Sequence, residues 1–86
     1  MAKSYSILIK KPAQKQLNKL SDHAAAPLIK AIASLAINPR PQGYKKLTGR
    51  KGCRIRVGDY RIIYEIFDKI LVVEVVNLGH RKDIYK

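Results

Sequence analysis

The stretch from Cys53 to Val76 constrains the fold more than any other part of the chain. It holds three runs of aliphatic, β-branched and aromatic residues, Cys53 to Val57, Tyr60 to Phe67 and Ile70 to Val76, separated only by Gly58-Asp59 and Asp68-Lys69. Runs of this composition bounded by turn residues are strands. Connections so short leave no room for a crossover, so the three must lie side by side and antiparallel. Such a meander has a face to bury, and the preceding residues must cover it.

They have the pattern to do so. Tyr5 to Lys10 is apolar and β-branched and predicts a first strand. Pro12 suits the first turn of a helix, where its missing N–H costs nothing. Ala13, Leu17 and Leu20 recur at helical spacing, with Lys15, Gln16 and Lys19 outside. Ser21 and Asp22 can cap a second helix, for which Leu28, Ile32, Leu35 and Ile29, Ala33, Ala36 supply a broad apolar face. Asn38-Pro39 should end that helix. The segment from Asn38 to Gly52 is broken by Pro39, Pro41, Gly43, Gly49 and Gly52, and carries Arg40, Lys45, Lys46, Arg50 and Lys51 without one acid. It reads as a loop pinned by Tyr44 and Leu47. The expected fold class is α+β, β-α-α-β-β-β, with an antiparallel sheet and a helical hairpin on one face, as a single domain over 1–86.

Charge narrows the partners. Across 86 residues, 18 Lys and Arg against 6 Asp and Glu give a net +12 at pH 7. A field that strong attracts polyanions: nucleic acid, an anionic membrane or an acidic protein. The only cysteine is Cys53, so no disulfide scaffold is possible. No apolar stretch approaches the roughly 20 residues of a spanning helix. Lys10 and Lys11 interrupt Ile7, Leu8 and Ile9 too soon for a signal peptide. A cytoplasmic protein with no membrane partner is expected.

The turn at Gly58-Asp59 locates part of the charge. A loop of two or four residues there sets Arg56 directly opposite Arg61, and alternation puts Arg54 on the same face. Cys53, Ile55, Val57, Tyr60, Ile62, Tyr64 and Ile66 take the other face, toward the helices. Like charges in opposition destabilise a sheet. Glu65, on the arginine face, offers an ordinary surface ion pair, but one carboxylate cannot balance three guanidiniums with five cations in the adjoining loop. Arginine's planar fork matches phosphate, so a phosphate-binding face is expected. A three-residue loop would break this register.

Gly79 should end the last strand, leaving His80, Arg81, Lys82, Asp83, Ile84, Tyr85 and Lys86 as a tail. Histidine as a residue type suits general acid or base work, which makes His80 a candidate; the alternative is a surface histidine beside two cations. Tyr85 can stack on a base or fold back over the core.

The run Cys53-Arg54-Ile55-Arg56-Val57-Gly58-Asp59-Tyr60-Arg61-Ile62-Ile63-Tyr64-Glu65-Ile66, followed by Gly79-His80-Arg81-Lys82-Asp83-Ile84-Tyr85, resembles the RelE branch of the RelE/ParE toxin superfamily. The resemblance spans nearly the whole chain in length and element order. Its motifs are specific in the second half, while the helical hairpin matches by pattern only. It implies a toxin that binds the ribosomal A site and cleaves the mRNA codon there without a metal or other cofactor. The ribose 2′-OH would attack the adjacent phosphate, leaving a cyclic phosphate and a free 5′-OH. By motif, Arg54 and Arg56 match a basic pair on the second strand, Arg61 the third-strand arginine, Arg81 the arginine after the Gly-X step, and Tyr85 the C-terminal tyrosine. These residues bind phosphates, stabilise the transition state, assist proton transfer and stack on the mRNA base in that family. Lys45, Lys46, Arg50, Lys51 and Lys82 would extend the phosphate-binding surface.

One departure bears on mechanism. Well-known members carry lysine at both second-strand positions, and arginine, unlike lysine, does not give up its proton. The general base would then be His80, Tyr85, or the mRNA and ribosome themselves, with Arg81 as leaving-group stabiliser or acid. The resemblance also implies a RelB-like acidic antitoxin that wraps the toxin in a hetero-oligomer. Two alternatives stand beside the nuclease: a ParE-like inhibitor of DNA gyrase without catalysis, and an inactive RNA-binding relative.

Overall fold

The computed structural model describes residues 4–80. The elements follow in the order β1 (Ser6–Ile9), α1 (Lys11–Lys19), α2 (Asp22–Ser34), β2 (Lys45–Lys46), β3 (Cys53–Val57), β4 (Tyr60–Phe67) and β5 (Val72–His80). The strands form one sheet in the order β1-β5-β4-β3-β2. Both helices lie on one face, giving the mixed α+β class. Among the described residues no helix is long and apolar enough to cross a membrane.

Each helix offers a narrow buried stripe. In α1, Ala13 and Leu17 are buried one turn apart and Pro12 sits in the first turn, where no backbone donor is needed. In α2 the Ser21 hydroxyl accepts the Ala24 N–H at 3.2 Å, capping the helix as its sequence predicts. Ala25, Leu28, Ile32 and Leu35 are buried, whereas Ile29 and Ala33, expected on the same apolar face, point to solvent. One ridge suffices to meet the sheet. The helix stops at Ser34 rather than at Asn38. Leu35, Ala36 and Ile37 donate to carbonyls three residues back at 3.1 Å, the tightening that closes a helix end.

The sheet departs from a pure meander at three places. First, β1 joins parallel to β5, pairing Ser6 with Val72 through Ile9 with Val75, while all other pairings are antiparallel. The hairpin rule never applied to β1, because a long helical connection follows it, and such crossovers permit parallel neighbours. Second, the β4–β5 connection is four residues, Asp68 to Leu71, with Leu71 at φ 53°. That left-handed residue delays β5 to Val72 instead of Ile70. Third, β5 runs through Gly79 to His80, because Arg61 pairs with Gly79 and Tyr60 with His80.

Within that pairing the register slips. Ile63 faces Asn77 but Tyr64 faces Val75, so Val76 is the extra residue of a bulge. Val73, Val75 and Leu78 all reach the core, which regular alternation would forbid. They pack with Cys53, Ile55, Ile62 and Tyr64 against Ala13, Leu17, Ala25, Leu28, Ile32 and Leu35.

The expected loop 38–52 is partly ordered by hydrogen bonds. The buried Tyr64 hydroxyl donates to the Pro39 carbonyl at 2.7 Å; burial raises its pKa and keeps it protonated for that role. Lys45 and Lys46 pair with Arg54 and Cys53, and the Leu47 N–H donates to the Gly52 carbonyl at 3.0 Å. Gly52, at φ +117°, lies so near β4 that a Cβ would stand 3.2 Å from the Tyr64 carbonyl oxygen. Arg40 donates to both Asp68 carboxylate oxygens at 2.8 and 3.2 Å, and the Tyr5 hydroxyl donates to Oδ1 at 2.7 Å. This exposed clamp joins the start of β1, the loop and the β4–β5 turn.

Candidate functional site

The face of the sheet away from the helices carries the arginines. Ile55, Ile62 and Leu78 point into the core, so their alternating neighbours point the other way. Two rows cross β3, β4 and β5. One runs Arg56, Arg61, Gly79, and the next runs Arg54, Ile63, Asn77. Lys45 on β2 extends the second row beside Arg54.

The two-residue turn with Gly58 at φ 60° fixes this arrangement. It places Val57 beside Tyr60 and Arg56 directly opposite Arg61. Lys45, Arg54, Arg56 and Arg61, with Gly43, line one cavity of about 180 Å³, several times the roughly 30 Å³ share of a water molecule. No acid lines it. Arg54 and Arg61 are half-buried, whereas Arg56 and Lys45 are exposed. Opposed like charges cost a sheet stability, and a bound polyanion would offset that cost. Arginine stays charged throughout the working pH range, so the three guanidiniums are permanent anion acceptors and not proton acceptors.

The remaining cations divide between places. Lys46, Arg50 and Lys51 line a second, larger concavity of about 540 Å³ together with Arg40, Glu65, Leu47 and Phe67. Arg40 there is already engaged by Asp68. Glu65 shares the arginine face but sits four residues beyond Arg61, about 13 Å along the strand, and its cross-strand neighbour is Glu74. Glu74 itself lies 3.7 Å from the Lys10 ammonium.

The structure does not bring His80 to the arginines. Its partner across the strands is Tyr60, and the two rings meet edge to face with centroids 5.7 Å apart. That pair lies on the helix side of the sheet. The bulge is the cause: one extra residue reverses which face every later residue of β5 takes. Arg81, Lys82 and Tyr85 lie outside the described residues. Among the described residues, no three His, Cys, Asp or Glu side chains gather where they could hold a metal ion.

Two residues of this face were not anticipated from sequence. Gly79 stands directly across from Arg61, and Asn77 stands in the next row. Only knowledge of the bulge could have put them there, because unbroken alternation from Val73 and Val75 assigns both to the core.

Comparison with known proteins agrees with this architecture. Residues 7–85 match the family described as ParE toxin of the type II toxin–antitoxin system parDE. A RelE-like toxin protein of Escherichia coli is 28% identical over 86 residues, covering 94% of this chain and 90% of that protein. The archaeal RelE–RelB complex from Pyrococcus horikoshii matches with a TM-score of 0.81 and 28% identity, over 93% of this chain and 98% of that one. The toxin–antitoxin complex RelBE2 from Mycobacterium tuberculosis matches with a TM-score of 0.79 and 26% identity, over 93% and 94%.

Proposed function

This chain belongs to the RelE/ParE family of type II toxin–antitoxin toxins, and we propose that it acts as a ribosome-dependent mRNA endoribonuclease. The observation that carries this reading is the cavity lined by Lys45, Arg54, Arg56 and Arg61, with no carboxylate among the described residues that line it. In the reaction, the 2′-oxygen of an A-site nucleotide bonds to the adjacent phosphorus and the bond from phosphorus to the 5′-oxygen breaks. A cyclic phosphate and a free 5′-hydroxyl result. The intermediate phosphorane carries additional negative charge, and cations already in place stabilise it without reorganisation. Arg56 and Arg61, opposed across the hairpin, suit the two sides of that group, while Arg54 and Lys45 suit neighbouring phosphates. Arg81 and Tyr85, by family position, complete the site as leaving-group stabiliser and base-stacking partner.

Arginines cannot take the 2′-proton, and His80 pairs with Tyr60 on the opposite face. The base is therefore assigned to Tyr85 or to the mRNA and ribosome. The inhibitory partner is a RelB-like acidic antitoxin whose carboxylates would cover the arginine face. Its association should be fast and salt-sensitive against a +12 surface.

The test is direct. Ribosomes carrying a defined A-site codon are mixed with the purified protein and the mRNA ends are mapped. Cleavage within the codon is expected, with the rate falling by about 10²-fold or more in a folded Arg61→Ala variant, as for loss of one transition-state donor. The match to the ParE family description favours a second reading, inhibition of DNA gyrase. Intact mRNA together with blocked gyrase supercoiling would replace the first reading with the second.

A further inference from the structure

Asn77 occupies an unusual position on the arginine face. Its successor Leu78 is buried in the core at 1% exposure, so the Asn77 side chain leaves the sheet on the other side, in line with Ile63 and Arg54. It is diagonal to Arg61, whose direct partner is Gly79. Diagonal neighbours on one sheet face stand about 7–8 Å apart, and Gly79 and Ile63 hold the other two corners of that diagonal. The Asn77 Oδ1 is already committed, because it accepts the Leu78 N–H at 2.9 Å. That bond identifies the oxygen, fixes the plane of the amide and leaves the Nδ2 group as a donor of two protons on the face that carries Arg54, Arg56 and Arg61.

We infer that Asn77 is a substrate-contacting residue whose Nδ2 donates a hydrogen bond to a non-bridging phosphate oxygen of the nucleotide next to the one held by Arg56 and Arg61. This rests on the proposal that the arginine face binds RNA. An amide supplies what another cation would not: a donor of fixed direction that sets the register of the strand without adding to the repulsion among the arginines. The bulge is what delivers it, by turning Asn77 rather than Leu78 toward the substrate.

Two substitutions separate this role from a structural one. Asn77→Asp retains the oxygen that accepts from Leu78 but replaces the donor with negative charge. Asn77→Ala removes both. The probe is a ribosome whose A-site codon is made uncleavable by a 2′-deoxy substitution, with binding of the fluorescein-labelled protein followed by anisotropy. Asn77→Ala should weaken binding about tenfold, the scale of one hydrogen bond to a charged group. Asn77→Asp should weaken it further while melting at the wild-type temperature. A purely structural role predicts the reverse order, with Asn77→Ala the weaker binder and Asn77→Asp like wild type, and that result overturns the inference. Arg61→Ala distinguishes the two levels. If it abolishes binding while Asn77→Asp does not weaken it, the inference alone fails. If Arg61→Ala or wild type shows no specific binding difference, the RNA-face reading fails and takes the inference with it.

Discussion

Arg56 and Arg61 face each other across a hairpin where most sheets would place a complementary pair. Opposition of like charges costs on the order of 0.2–1 kcal/mol, so this hairpin gives up stability for a concentrated positive site. The pairing was legible from the sequence because Gly58-Asp59 is a two-residue turn, and a turn of that length dictates the register of both strands. His80 was not legible in the same way. The alternation of Val73, Glu74 and Val75 gives no sign that Val76 is an extra residue, yet that residue sends the imidazole to Tyr60 and away from the arginines. His80→Gln should therefore leave the single-turnover cleavage rate and its pH profile unchanged. It should lower stability by about 0.5–1.5 kcal/mol, the range for an edge-to-face aromatic pair. A slowed rate with a lost pH limb would restore the histidine as the base.

At the scale of elements, the segment between α2 and β3 does more than connect. Its composition reads as loop because prolines, glycines and lysines dominate it, and composition does not register hydrogen bonds made to distant residues. Tyr64 holds Pro39, β2 zips Lys45 to Arg54, and Arg40 reaches Asp68. The last contact makes a pH prediction. Hydrogen bonds first from Arg40 and then from Tyr5 hold the Asp68 carboxyl down to about 2, against an ordinary value near 3.9. A depressed carboxyl stabilises the fold above its unfolded pKa and loses that contribution as pH falls toward its folded one. The urea midpoint of the wild type should thus drop between roughly pH 4 and pH 2. The Asp68→Asn variant should start lower and lack that part of the drop. Parallel acid profiles in the two proteins would show that the clamp contributes nothing.

For the whole molecule, the net +12 of the sequence is sorted by the fold into distinct places. Four cations line the small cavity, and Lys46, Arg50 and Lys51 belong to another. If the four each neutralise one phosphate, the logarithm of the RNA association constant should fall with log salt at a slope of about −3, since each contact on a single strand contributes about −0.7. Arg61→Ala should make the slope shallower by about 0.7. A far steeper slope that Arg61→Ala leaves unchanged would mean the charge acts as a diffuse coating. The antiparallel core of the sheet and its helical cover could be read in advance, because short turns and apolar periodicity act locally. The place of β1 could not, because its partner is chosen by three-dimensional packing across most of the chain.

That placement has a consequence for how the protein is made. Among the described strands β5 alone neighbours both β1 and β4, so a growing polypeptide exposes an orphan first strand until residues 72–80 exist. At about 5–20 residues per second the wait lasts several seconds. During it the arginines sit on little more than a two-stranded ribbon, which is marginal by itself in water. Maturation of the basic face is thereby tied to the synthesis of residues 72–80, and a chain that has not reached them is spared the repulsion of its own assembled charge.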